Sequence, residues 1–77
     1  MFKMSRHPFQ RMRDQNIAYV KKLIAQTMPE GADDRKLRGV LGQRFSRVRI
    51  EDYLRVLEDQ SVIEFDPETK RWKIVIG

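Results

Sequence analysis

The fold of this chain is decided by residues 53–69, YLRVLEDQSVIEFDPET, where a helical pattern of apolar residues gives way to a strand pattern. Up to about Gln60 the apolar residues recur at helical spacing. Val62–Phe65 is a β-branched and aromatic run, which is typical of a strand. Asp66–Lys70 follows with the composition of a turn, including a proline that fixes φ. This stretch therefore predicts a helix that passes almost directly into a β-hairpin.

The second strand of the predicted hairpin is residues 71–76, RWKIVI. Its alternation puts Trp72, Ile74 and Ile76 on one face. Because two strands alone are only marginally stable in water, this apolar face has to pack against helices. We expect Trp72 to fill the space between the hairpin and the helices.

The first helix is predicted over about residues 14–28, with the Asp14 carboxylate as its N-cap. Pro29 disfavours helical geometry at the residue before it and so ends this helix. The residues before Asp14 are basic and show no clean periodicity. We therefore predict a basic N-terminal arm over residues 1–13 and one folded domain over residues 14–77.

Two further helices are predicted before the hairpin. The second begins at Asp33 or Asp34, and helix capping explains these neighbouring acids better than a paired acid site does. Gly42 is predicted to close the second helix in the left-handed conformation. Ser46 is predicted to cap the third helix, which ends near Gln60.

The order helix, helix, short turn, helix and hairpin resembles that of a winged helix-turn-helix domain, and Leu37–Ile76 carry the resemblance. Residues 53–69 look like the junction between recognition helix and wing in many bacterial and archaeal regulators. Gln60 and Ser61 depart from that pattern, since the family usually has a glycine before the first wing strand. The strand expected between the first two helices is missing or very short. The resemblance implies an α+β fold in which a three-helix bundle is followed by a C-terminal β-hairpin wing.

The composition excludes most catalytic classes. With 77 residues the chain has room for one small core. It has no cysteine, which excludes disulfides, thiolate metal sites and a cysteine nucleophile. The one histidine, His7, has no metal-ligand partner near it in the sequence, and no glycine-rich phosphate loop occurs. We therefore expect no catalytic residues, no metal and no cofactor. Since no apolar run has the length of a membrane span, we also expect a cytoplasmic protein without a membrane partner.

Basic and acidic residues are segregated along the chain. There are 16 Lys and Arg against 11 Asp and Glu, which gives a formal net charge of +5. Residues 35–49 and residues 1–13 each contain several basic side chains and no acid, whereas the acids gather elsewhere in pairs and around the hairpin. Segregated charge produces a field that attracts polyanions. A polyanion is therefore the predicted partner, and the winged-helix resemblance implies that it is double-stranded DNA.

The winged-helix resemblance implies four groups of DNA-binding residues, because in that family the third helix usually enters the major groove and the wing contacts the backbone or minor groove. Arginine suits guanine and phosphate through its planar fork of donors. The N-terminal amides of the third helix also attract anions. The implied contacts are Arg35, Lys36 and Arg38 on the second helix; Arg44, Ser46, Arg47, Arg49 and Arg55 at the third helix; Lys70, Arg71 and Lys73 in the wing; and Lys3, Arg6, Arg11 and Arg13 in the arm.

The outward face of the third helix carries mixed charge, so a plain solvated surface is the alternative interpretation. On a helical wheel the residues that point most directly outward are Val48, Asp52, Arg55 and Asp59. Asp52 and Asp59 would repel phosphates, and Glu51 is spaced to pair with Arg55. Only the first turn of this helix and the turn before it are clearly basic.

Two functions compete on these grounds. The first is a sequence-specific or structure-dependent DNA-binding protein, a small transcription or replication regulator that acts as a homodimer or with a larger protein partner. The alternative is a winged-helix protein–protein interaction module without nucleic-acid binding, which the acids of the C-terminal half favour. A third hypothesis is binding of single-stranded nucleic acid or RNA through the basic arm. An enzyme is the least supported class.

Overall fold

Residues 8–76 are described by the computed structural model, and they form an α+β fold of three helices and one antiparallel three-stranded sheet. In chain order the elements are α1 Pro8–Ala25, β1 Ala32–Asp33, α2 Asp34–Leu41, α3 Arg47–Asp59, β2 Ile63–Asp66 and β3 Arg71–Ile74. The three predicted helices and the C-terminal hairpin are confirmed. Within residues 8–76 no helix combines the length and the apolar character that crossing a bilayer requires.

The first helix begins at Pro8 and not at Asp14, so the predicted N-cap is wrong. Proline suits the first helical position because it lacks the N–H that would stay unsatisfied there and its φ is already helical. The helix ends at Ala25, about one turn before the predicted end. Residues 8–13 of the predicted arm are therefore helical, and residues 1–7 lie outside the described residues.

The second helix has the predicted N-cap and a different C-terminus. The Asp33 carboxylate accepts a hydrogen bond from the Lys36 N–H at 3.1 Å. Gly42 has φ −65°, which is right-handed, so the predicted left-handed closure is wrong. Its N–H donates to the Arg38 carbonyl at 2.8 Å, and the chain continues to α3 through a hydrogen-bonded turn. No reversal through the left-handed region is needed at this junction.

The third helix starts and stops where predicted. Ser46 Oγ accepts from the Arg49 N–H at 3.3 Å, and the helix ends at Asp59 with Gln60 as its C-cap. Ser61 then adopts φ +60°, the left-handed backbone conformation that residues with a Cβ usually avoid. Ser61 thus makes, at some cost in backbone strain, the turn between α3 and β2 for which a glycine was expected.

The sheet has the order β1-β3-β2, with β3 in the centre. The β1 strand has only two residues, and Ala32 lies opposite Trp72. On the other side of β3, Phe65 lies opposite the same Trp72. The strand between the first two helices is therefore present and very short. Since β3 ends at Ile74, Ile76 is 84% exposed, and its predicted place on the apolar face is wrong.

The core lies between the helices and one face of the sheet. Aromatic rings extend it towards the turn before α3, where Phe45 packs edge-on against Tyr53 and Tyr19 with ring centroids 5.3 and 6.3 Å apart. This ring cluster anchors the start of α3 against α1. The buried apolar residues are Val20, Ile24, Ala32, Leu37, Leu41, Ile50, Tyr53, Leu54, Leu57, Ile63 and Trp72.

Candidate nucleic-acid interface

The arginines of the first turn of α3 lie on two different flanks of the helix. Residues two positions apart project about 160° apart around an α-helix, which separates Arg47 from Arg49. Arg47 lines a groove with Arg38 of α2. Arg49 lies one turn before Asp52, which contacts Arg13 of α1. The predicted basic cluster therefore divides into an α2 flank with Arg47 and an α1 flank with Arg49.

Arg44, in the turn before α3, lies on the α1 side. Its guanidinium carbon is 4.3 Å from the centre of the Tyr19 ring and 5.6 Å from that of Phe45. Such cation–π contacts contribute about 0.5–1 kcal/mol at exposed sites. The side chain is oriented by these rings and remains exposed to solvent.

Both acids in the middle of α3 are bonded to arginines of other helices. Glu51 Oε1 accepts from Arg38 Nη1 at 2.5 Å. The Asp52 carboxylate accepts from two N–H groups of Arg13, at 2.9 and 3.0 Å. Within residues 8–76 the ion-pair partner of Glu51 is thus Arg38 and not Arg55 as predicted, because α2 brings its guanidinium across the α2–α3 junction. The negative charge that would repel a phosphate is neutralised at both positions.

Asp34 holds Arg38 in place from the opposite side. Asp34 Oδ1 accepts from Arg38 Nε and from Trp72 Nε1, each at 2.8 Å. Burial opposes ionisation of this carboxyl, but the hydrogen bonds from Trp72 and Arg38 outweigh it, and the pKa of Asp34 lies below its ordinary value. The Arg38 guanidinium thus bridges a carboxylate of α2 and Glu51 of α3. Trp72 is 7% exposed, and its predicted position between hairpin and helices is confirmed.

Acid is expected to destabilise the fold through Asp34 and Asp52. The hydrogen bond from Arg13 lowers the pKa of Asp52, and the pKa of Asp34 is lowered as well. A carboxyl with a lower pKa in the folded chain contributes stability above its unfolded pKa of about 3.9, and the contribution is lost as the pH falls through the folded pKa. We expect the free energy of unfolding, measured by urea titration, to fall below about pH 4, and to fall less steeply in Asp52→Asn. The same pH dependence in both proteins would contradict the role of the Arg13–Asp52 pair.

Five basic side chains of α2 and α3 are exposed and form no ion pair with any other residue in the range 8–76. Arg47 and Arg55 line one shallow surface groove together with Val48, which is 78% exposed. The Ser46 hydroxyl accepts the capping N–H through its oxygen, so its proton is free to donate. The five exposed basic residues are Arg35, Lys36, Arg47, Arg49 and Arg55.

The hairpin offers less basic surface than predicted. In the register of β2 and β3, Lys73 lies opposite Glu64 and Arg71 lies opposite Asp66. Arg71 also donates to a backbone carbonyl in the loop before β1, at 3.1 Å. Lys70, in the turn, is exposed with φ +60°. Charge is therefore balanced along the strands, and Lys70 is the predicted hairpin contact that the structure leaves most accessible.

The basic residues predicted as arm contacts are separated by the structure. Arg11 is exposed on α1, whereas Arg13 is bonded to Asp52. Lys3 and Arg6 lie outside the described residues. The Arg13–Asp52 bond joins residues 39 positions apart, and no local spacing rule could have found it.

The described part of the chain, residues 8–76, holds no group of three or more acidic or histidine side chains that could bind a metal ion. His7 lies outside that range. The candidate site is thus a surface of four arginines and one lysine on α2 and α3, beside which Asp52 and Glu51 are bonded to Arg13 and Arg38. No family model, no curated protein and no solved structure matches this chain.

Proposed function

We propose that this chain is a DNA-binding protein with a winged-helix arrangement, and that it contacts double-stranded DNA through the exposed basic side chains of α2 and α3. The order of its elements supports this, since α2 and α3 are joined by a short turn and followed by a hairpin. The pairing of β1 with β3 supports it further, because winged-helix domains have a strand between their first two helices. We propose a role in regulating transcription or replication, as a homodimer or with a larger protein partner, because one module reads only a short site.

The observation that carries this proposal is the pairing of the two acids in the middle of α3, whereas Glu58 and Asp59 at its C-terminal end are exposed. Asp52 and Glu51 are bonded to Arg13 and Arg38, which come from the two other helices. Because these carboxylates are already neutralised by Arg13 and Arg38, they do not offset the charge of the neighbouring exposed arginines, which remains available to attract an anion. The sequence alone predicts a surface of mixed charge on this helix. With Glu51 and Asp52 neutralised by ion pairs, the N-terminal half of the helix surface is basic.

Arg47 and Arg55 are spread along α3, the helix that would lie in a major groove. Arg47 and Arg55 are eight residues apart, so they lie about 12 Å apart along the helix axis. B-DNA has a major groove about 12 Å wide, which admits an α-helix. Arginines at this separation can reach different phosphates or base edges along one helix.

Binding to random-sequence duplex DNA is expected to weaken steeply with salt, because each neutralised phosphate releases counterions. The slope of log K against log salt concentration is expected to be about −0.9 for each phosphate contacted. Replacing Arg47 and Arg49 together by glutamine is expected to reduce the magnitude of this slope by about 1 to 2. Fluorescence anisotropy with a labelled duplex at several salt concentrations measures both quantities.

A matched control is available on α1. Lys21 and Lys22 are exposed, and replacing both by glutamine removes the same charge from a different part of the surface. This control is expected to change affinity slightly and to leave the slope near that of the wild type. Equal effects of the two double variants would show binding by net charge alone, without a defined surface.

A second candidate function is protein–protein interaction, and a different groove favours it. A groove of 560 Å³ lies between the end of α1, β1 and α2, and it includes Leu23, Met28 and Val40, which is 47% exposed. Acidic and basic side chains, Glu30 and Lys36 among them, line the same groove. Absence of duplex binding at low salt would favour this function over DNA binding.

A further inference from the structure

The groove between α2 and α3 is lined by one arginine from each helix and by one carboxylate. Arg38, Gly42, Arg47, Ile50 and Glu51 line this groove, whose volume is 420 Å³. Gly42 adds no side chain to the groove wall, so the space beside the arginines stays open. Arg47 forms no ion pair within residues 8–76, whereas Arg38 is bonded to Glu51.

The two carboxylates that bind Arg38 hold different atoms of its guanidinium. Asp34 accepts from Nε at 2.8 Å, and Glu51 accepts from Nη1 at 2.5 Å. Asp34 is on the same helix as Arg38, one turn earlier, so it keeps the guanidinium oriented whether or not Glu51 is present. The Nη1 donor is therefore held ready for an anion, and Glu51 occupies it in this structure.

We propose that this groove is a phosphodiester-binding site, and that Glu51 fills it as an internal anion that a nucleic-acid phosphate displaces. The inference rests on the DNA-binding function proposed above. Carboxylate and phosphate oxygens are interchangeable partners for arginine, since both accept its paired donors. A phosphate between Arg38 and Arg47 bonds to both guanidinium groups, whereas Glu51 bonds to Arg38.

The exposure of the pair makes displacement feasible. The Glu51 side chain is 58% exposed and that of Arg38 is 35% exposed. Exposed ion pairs are weak because water and salt screen them. When a phosphate enters, the flexible Glu51 side chain can turn out to solvent. Glu51 therefore lowers the affinity for nucleic acid, and its removal strengthens binding.

A purely structural ion pair makes a different prediction. If the Arg38–Glu51 bond serves only to join α2 to α3, loss of the Glu51 charge lowers the stability of the fold. It then changes DNA affinity only as much as removal of any other acid on α3 does. Glu58 provides that comparison, since it is exposed and seven residues later on the same side of α3. It lies about 10 Å further along the axis, which is about one Debye length at 0.1 M salt.

The test compares Glu51→Gln with Glu58→Gln in the whole chain, with a labelled random-sequence duplex as the probe. Glu51→Gln is expected to bind about threefold or more tightly than the wild type at low salt, because one like charge leaves the immediate surroundings of the phosphate. Its log–log salt slope is expected to become steeper by up to about 0.9, the value of one unit charge, because Glu51 no longer offsets one arginine beside the phosphate. Glu58→Gln is expected to gain less than about twofold and to keep the wild-type slope.

A second background separates loss of the bond to Arg38 from a simple change in net charge. In an Arg38→Gln background, the gain from Glu51→Gln is expected to disappear, because the phosphate has lost one of its two donors. Thermal unfolding followed by Trp72 fluorescence reports whether each variant is folded. Equal affinities for Glu51→Gln and Glu58→Gln, with the wild type still binding, would overturn the inference and leave the DNA-binding function standing. Absence of binding by the wild type and by Glu51→Gln would overturn both.

Discussion

The Trp72→Ala variant is expected to lose about 3–5 kcal/mol of unfolding free energy, the usual cost of truncating a buried aromatic side chain to alanine. A domain of this size has a net stability of only about 3–5 kcal/mol, so this variant is expected to be largely unfolded. Trp72 lies on the central strand, opposite Ala32 of β1 and Phe65 of β2. Its ring is 4.9 Å from that of Phe65, centre to centre. Its indole also bonds to Asp34, so one side chain joins all three strands to α2.

Trp72→Phe separates the packing contribution from the hydrogen bond. Phenylalanine keeps an aromatic ring in the core and loses the N–H that donates to Asp34, which still accepts from Arg38. We expect this variant to stay folded and to lose about 1–3 kcal/mol, the cost of a bond to a charged group. Urea unfolding followed by circular dichroism measures both losses. A Trp72→Ala protein that unfolds cooperatively at the wild-type urea concentration would contradict the central place of this side chain.

Gly31→Ala is expected to cost about 2–4 kcal/mol, from backbone strain together with steric overlap. Gly31 has φ +94°, a backbone conformation that residues with a Cβ rarely adopt. A Cβ here would lie 2.8 Å from the Trp72 carbonyl oxygen and 2.7 Å from Lys73 Cγ. The Lys73 side chain can move, but the carbonyl belongs to the sheet. The strand β1 would have to shift, which would also weaken the bond from Arg71 to the Gly31 carbonyl.

Gly39→Ala is the matched control for this prediction. Gly39 lies within α2, and apart from its chain neighbours and the helix's own backbone no heavy atom of the described residues lies within 4 Å of the position that its Cβ would take. Alanine is favoured over glycine in a helix interior by about 0.5–1 kcal/mol, so this variant is expected to be more stable than the wild type. The two substitutions make the same chemical change with opposite expected signs. Equal destabilisation of both by thermal melting would contradict the structural difference between these glycines.

Local signals were sufficient for the caps of α2 and α3. Asp33 and Ser46 accept the N–H groups three residues later, as their type and position predict. The start of α1 was not predictable in the same way, because Asp14 and Pro8 both suit a helix N-terminus. The structure has the earlier start, at Pro8, and so the longer helix. Gly42 shows a similar limit, since glycine permits the left-handed region without requiring it.

The basic surface was predictable only as a stretch of sequence. That residues near Arg47 carry positive charge follows from composition, and their exposure is confirmed. Which of the arginines are engaged does not follow, because Arg13, Arg38 and Arg71 form their bonds with partners on other elements. The division of Arg47 and Arg49 between two flanks follows from helix geometry once the neighbours of α3 are known.

The sequence by itself determined the order of the helices, the hairpin and the separation of basic from acidic stretches, because periodicity, capping and turn composition act over a few residues. The tertiary structure alone decided the charge of the α3 surface. The pairs Arg13–Asp52 and Arg38–Glu51 join residues 39 and 13 positions apart, and each forms only because packing of the core brings two helix flanks together. Coulomb attraction depends on the distance between two charges in space. The number of residues between them in the sequence fixes that distance only within a single helix or strand.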